Sequence, residues 1–462
     1  MIEPAFAAYF WGFLLLYGTV MYAMSPHART ASSFFRGTDE AGRQTSGWAL
    51  TCSIFISWIF AKSVTNAANL GAAYGIVGGL AYATYWLSIP FAGLVIYRLR
   101  TRHGATGLVP FLIARYGRLA ALSFTLAILI RLYNEVWSNT ALVGAYYGKP
   151  GEFTFIGAAL LFTAATLFYS LKGGLRSSII TDVIQSVLFV AVLGAVLFLV
   201  LPQHGTTQLL SVGEFRLSAG VDLLLVALLQ VLSYPFHDPV LTDRGFITEE
   251  KTMLRAMIIA GVLGFICIFA FSLVGVHARL EGLPAGDNMP GAVAHAFGIL
   301  PYLMMTGIMV IAAGSTLDST FASISKSIGQ EVPLLAGREP GANAIRVGVW
   351  TMIAFAVLGN IPMIAGTDIL KATTVSGTMV MGLAPIFLLA PLVKRSPLSF
   401  HLAFWPGILL GVMLASGGIP QSWAIGTGKY ALLLGVNLYG LAICFAGFLL
   451  PVLWQRFSNS RE

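Results

Sequence analysis

Five oxygen-bearing side chains, Ser315, Thr316, Asp318, Ser319 and Thr320, fall within two turns of the otherwise apolar stretch GIMVIAAGSTLDSTFASISK. Hydroxyls and carboxylates are hard donors, the ligands that alkali cations prefer. Helix capping by a run of Ser and Thr is the alternative, but more helix follows the run and no loop precedes it, which favours ligation. Cation ligation is the chemistry it fits.

Four other apolar stretches carry charge or hydrogen-bonding capacity. Lys62 lies mid-run with Ser57, Ser63, Thr65 and Asn66, and no local counter-charge accompanies it. Arg131 and Glu135 are spaced i, i+4, which puts them on one helix face where they can neutralise each other. In GGLRSSIITDVIQ a glycine turn leads into a helix holding Asp182 and Gln185, and an acid near a helix N-terminus also suits the helix dipole. In VDLLLVALLQVLSYPFHDPVLTDRGF, Pro235 and Pro239 remove backbone donors and predict a broken helix around Ser233, Tyr234, His237 and Asp238, with Gln230 one turn earlier. His237 and Asp238 at that point also suit the end of a span at the membrane interface.

The elements that must position these residues are membrane helices. The 462-residue chain is 57% hydrophobic and 10% charged, with a mean hydropathy of +0.81, far more apolar surface than one water-soluble core can hide. Charged side chains at membrane depth cost about 2.5–3.5 kcal/mol each, so those above mark a pathway or a site. Apolar runs of spanning length start near residues 5, 47, 76, 119, 153, 178, 221, 254, 301, 345, 368, 401 and 430, which predicts about thirteen transmembrane helices in an all-α polytopic protein. The first run, Ala5 to Met24, is too long for a signal peptide and lacks a basic leader, so a retained helix is expected. Twenty of the 27 Lys and Arg residues fall in alternate inter-span segments and five in the others, which predicts an outer N-terminus and a cytoplasmic C-terminus. The same asymmetry explains the net charge of +8 without a nucleic-acid partner. Cys52, Cys267 and Cys444 sit singly in apolar runs, in no metal-type spacing. No HExxH, GxSxG or His-rich pattern points to an enzyme.

Three stretches, SWIFAKSVTNAANLGAAYG at 57–75, GGLRSSIITDVIQ at 173–185 and AAGSTLDSTFASISKSI at 312–328, resemble the sodium:solute symporter family, which includes bacterial proline, sialic acid and sodium/galactose transporters. The middle stretch is the most specific. The resemblance implies a leucine-transporter-like core of two inverted five-helix repeats in a single transporter domain, at 47–200 and 221–393. A leading helix and loop (1–46) precede it and two further helices (401–462) follow. Without that knowledge, the polar, interrupted spans 2 and 7 already sit five apart, at equivalent places in two halves.

Carried across residue by residue, the resemblance implies a Na⁺ site on the backbone carbonyls of Ile56, Ile59 and Ala312 and the hydroxyls of Ser315 and Thr316. A second cation or proton site would fall on Asp182, Asp318 and Ser319, and Asp318 stands where a hydroxyl residue is usual. Lys62 departs from the acidic residue of sugar-transporting members. Substrate contacts are expected from Lys62, Ser63, Arg131, Gln230, Ser233, Tyr234 and His237. The function expected is Na⁺-driven import of a small polar solute, anionic or zwitterionic, across a bacterial inner membrane by alternating access. A proton-coupled carrier and a non-transporting sensor on the same fold are the alternatives, and no obligate protein partner is evident.

Overall fold

The computed structural model describes residues 4–284, 286–364 and 376–459. Its principal helices are α1 (Pro4–Met24), α2 (Gly47–Ser57), α3 (Ala61–Tyr74), α4 (Ile76–His103), α5 (Arg118–Ala145), α6 (Phe153–Gly173), α7 (Leu175–Val200), α8 (Val221–Val231), α9 (Glu250–Leu280), α10 (Ile299–Lys326), α11 (Ala344–Leu358), α12 (Pro397–Ala415) and α13 (Ala431–Asn459). Among the described residues ten helices are long and apolar enough to cross a membrane, and the bent pair α2–α3 makes eleven. The count of thirteen is not reached for two reasons. At 1.5 Å per residue, the 11-residue α8 is too short to cross about 30 Å of hydrocarbon alone. The run expected near 368 begins outside the described residues.

The two interruptions have different origins. In the seventh expected span the prolines act as anticipated: α8 stops at Val231, a 3₁₀ turn covers Tyr234–His237, Asp238 is extended, and a single helical turn follows at Pro239–Thr242. The second span bends by 59° between Ser57 and Ala61 with neither Pro nor Gly at the break. Phe60 is extended there and Trp58 is 2% exposed. Packing against the neighbouring helices holds this break.

Helix α10 is the hub of the bundle, packing against α1, α2, α3, α5, α6, α7 and α11. Helix α9 crosses α2, α3 and α4. Its seam with α3 needs glycine on both sides: a Cβ on Gly71 would strike the carbonyl of Ser272, and one on Gly275 the carbonyl of Ala68. Small residues at helix seams allow this close approach in lipid, where no hydrophobic driving force separates helix contacts from lipid contacts.

Candidate ion and solute site

The break between α2 and α3 faces α10. The last carbonyls of α2 have no helical amide to accept from, as at any helix end. One of them, that of Ser57, accepts a hydrogen bond from the Thr316 hydroxyl at 3.4 Å. The carbonyl of Ile56 accepts from the Ile59 amide at 3.0 Å. Ile56, Ile59, Ala312, Ser315 and Thr316 are all completely buried. Ser315 does not stand free: its hydroxyl donates to Asp182 Oδ1 at 2.5 Å.

That bond leads into a buried polar cluster which the sequence reading anticipated only in part. Asp182 is the eighth residue of α7, too far inside for the helix dipole to explain it, since that effect fades within the first turn. Its Oδ2 accepts from Ser53 at 2.6 Å and from Arg244 Nη2 at 3.0 Å. Arg244, counted with the loop residues from sequence, is fully buried in the 3₁₀ turn Asp243–Phe246. Its guanidinium also reaches the Ser319 hydroxyl at 2.7 Å, Ser178 at 3.2 Å and Ser53 at 2.7 Å. The positive group among Asp182, Ser178 and Ser319 is thus the Arg244 guanidinium. Asp318 stands beside it, accepting from Ser178 at 2.8 Å, Thr181 at 3.0 Å and Tyr169 at 3.0 Å. No sequence spacing reveals Arg244, because it lies 62 residues from Asp182 and 75 from Ser319.

The second group of charges lies around Phe60. Lys62 is not mid-helix but the second residue of α3, where the helix dipole disfavours a cation. Nor is it unpaired. Lys62 Nζ lies 2.7 Å from Glu135 Oε1, the same oxygen that Arg131 Nη1 approaches at 3.2 Å, as the i, i+4 spacing predicted. Arg131 Nη2 pairs in turn with Asp238 Oδ2 at 2.7 Å. Asp238 is 1% exposed; one of its oxygens caps the turn at Val240, and Trp58 Nε1 donates to Oδ2 at 2.9 Å. The four groups form a chain of alternating charge with no net charge when all are ionised. Aromatic rings enclose it: Arg131 lies 5.3 Å from the Tyr234 ring centre and Lys62 5.1 Å from that of Phe60. Tyr85 and Trp58 flank Tyr234 at 5.9 and 6.0 Å.

The remaining expected solute contacts are dispersed or engaged. Arg131 Nη1 donates to the Tyr234 hydroxyl at 3.4 Å. Gln230 accepts from the Tyr85 hydroxyl at 2.9 Å and donates to Asn437 at 3.1 Å. Ser63 accepts from Tyr82 at 3.3 Å. His237 Nδ1 contacts the Tyr234 carbonyl at 2.5 Å, and the Ser233 hydroxyl reaches back to the Gln230 carbonyl at 3.5 Å. Lys62, Arg131 and Tyr234 therefore come together, whereas His237 and Ser233 serve the broken turn. Sequence reasoning passed over Asp238 and Trp58 as solute-site residues. The signal available for Asp238 was an acid between two prolines.

The sodium:solute symporter family model matches residues 40–221. Over 183 residues, 38% of this chain, the sequence is 26% identical to sodium/glucose cotransporter 1 of Ovis aries. Over 196 residues, 40% of the chain, it is 24% identical to the sodium/pantothenate symporter of Escherichia coli (strain K12). The matches span 26% and 39% of the length of those relatives. Among solved structures, that of a Na⁺-coupled sialic acid symporter aligns over 98% of both chains with a TM-score of 0.75 and 18% identity. A nucleobase-cation-symport-1 family transporter aligns over 92% of this chain and 94% of its own with a TM-score of 0.55 and 13% identity. At such identities the structural likeness establishes the fold. This all-helical integral membrane protein thus resembles the sodium:solute symporter family, and its fold is the leucine-transporter-like one of the solved symporters.

Proposed function

We propose that the protein is a secondary transporter that couples inward movement of Na⁺ to uptake of a small zwitterionic solute such as an amino acid. The observation that carries this reading is the bend between α2 and α3 set against Ser315 and Thr316 of α10. Unwound backbone inside a membrane is tolerated where it lines protein or a cavity, and in transporters built from two repeats such breaks hold ions and substrates. Na⁺ would take the carbonyls of Ile56, Ile59 and Ala312 with the two hydroxyls. Residues 47–200 and 221–393 would be the two repeats, with the basic segments facing the cytoplasm. Arg244 already supplies positive charge among Asp182, Ser178 and Ser319, so we assign one Na⁺ per cycle.

The charge chain refines the solute. Lys62 and Arg131 seen alone left an anion and a zwitterion both open, but Glu135 and Asp238 already claim both cations. An incoming anion would leave a buried net negative charge, which is costly. A zwitterion adds none: its carboxylate can face Lys62, Arg131 and the first amides of α3, a favourable place for an anion, while its ammonium faces Glu135 or Asp238.

Uptake by purified protein in proteoliposomes tests this, using a panel of neutral amino acids, dicarboxylates and sugars. Accumulation of a neutral amino acid that needs an inward Na⁺ gradient is expected. Uptake driven equally by a proton gradient without Na⁺ overturns the coupling, and Na⁺-driven uptake confined to dicarboxylates overturns the solute class. Ser315→Ala with Thr316→Ala should raise the Na⁺ concentration for half-maximal uptake at least about tenfold, since each removes a ligand at some 1–2 kcal/mol, and unchanged Na⁺ dependence would refute the seat of the ion.

A further inference from the structure

Away from the ion and solute sites, His204, His277 and Glu281 each turn one ligand atom into a space where all three lie within 4.8 Å of one another. We propose that they form a site for a transition-metal dication of the Zn²⁺ type. His277 lies in the last turn of α9 and Glu281 caps that helix, its amide bonded to the His277 carbonyl at 3.0 Å. The i, i+4 spacing sets the two side chains on one face. His204 arrives from the other half of the chain: α7 ends in the 3₁₀ turn Leu201–Gln203, and the next residue is extended, bringing its ring centre 5.0 Å from that of His277.

Two features point to a ligand rather than to packing. His277 is 3% exposed, and its Nδ1 has no hydrogen-bond partner among the described residues. A buried polar atom left so is costly, and a metal bond would offset that cost. His204 Nε2 lies 3.0 Å from Glu281 Oε1 without the alignment of a hydrogen bond. Ligand atoms around a tetrahedral Zn²⁺, bonded at about 2.0–2.2 Å, stand roughly 3.4 Å apart. At 3.0 Å the His204–Glu281 pair stands slightly inside that spacing. Glu281, with its side chain 49% exposed, can rotate to close the rest. Two imidazoles and one carboxylate, with a fourth position for water, suit Zn²⁺, Cu²⁺ or Ni²⁺ and are a poor match for Mg²⁺ or Ca²⁺. A bound ion would tie the end of α7 to the end of α9, across the two halves of the chain. With the basic segments cytoplasmic, this clamp lies on the outer face.

The test uses the full chain in detergent after chelator treatment, titrated with ZnCl₂ by calorimetry, and does not depend on transport. One saturable equivalent is expected, undisturbed by excess Ca²⁺. His204→Ala with His277→Ala should abolish it. Glu281→Gln, an exposed change that leaves the buried rings in place, should weaken it at least about tenfold, since even groups behind the ligands cost 10–100-fold. Metal-free unfolding midpoints confirm that each variant is folded. No saturable binding by the unaltered chain, or full binding by the folded double-histidine variant, overturns the proposal.

Discussion

Glu135→Gln should be among the most damaging single changes in this protein, although it alters shape very little. Glu135 Oε1 serves Lys62 at 2.7 Å and Arg131 at 3.2 Å, and its side chain is only 2% exposed. At an effective dielectric constant near 20, two unit charges about 3 Å apart attract by roughly 5–6 kcal/mol, so the change forfeits about 10 kcal/mol of attraction. The carboxylate's own desolvation penalty of several kcal/mol is recovered, and removing one partner of a buried pair costs about 3–5 kcal/mol net. The chain of charges predicts more than that single loss. Lys62→Met with Glu135→Gln leaves Arg131 facing Asp238 at 2.7 Å with no net charge, so the double variant should regain about 2–3 kcal/mol relative to the sum of the singles. Unfolding titrations of the four purified proteins in detergent measure this coupling directly. A loss under about 1 kcal/mol for Glu135→Gln, or strict additivity in the double variant, would show that the four charges do not form one unit.

Arg244→Lys keeps the charge but cannot span Ser53, Ser178, Asp182 and Ser319 at once. The loss of several buried bonds, with hydroxyls left unpartnered, should destabilise the fold by about 2–4 kcal/mol in the same titrations. A near-normal unfolding midpoint would show that the cluster does not rely on the guanidinium. Gly275→Val forces a side chain into the backbone carbonyl of Ala68; overpacking that backbone cannot relieve costs about 3 kcal/mol or more. Expression and monodispersity on size exclusion should collapse for it, while Gly12→Val, at a glycine with open space around it, should behave normally.

The sequence by itself determined that the chain lies in a membrane, because hydropathy and helix length are local properties of consecutive residues. It also determined the break at Pro235 and Pro239, since a missing amide acts at its own position, and the Arg131–Glu135 contact, since i, i+4 geometry is set within one helix. The interruption of the second span was legible only from its polar residues and its place five spans before the seventh; the 59° bend at Trp58–Phe60 was not, for no residue there forbids a helix. Separation along the chain hid Glu135 from Lys62, Asp238 from Arg131, and Arg244 from Asp182: each pair is 62 to 107 residues apart. Charge pairing over such separations is a property of the packed bundle, where the low dielectric makes an unpaired charge too costly to keep. Lys62 and Arg131 read singly fitted an anionic or a zwitterionic solute alike; the assembled bundle makes them half of a neutral chain, and that is the ground for proposing the zwitterion.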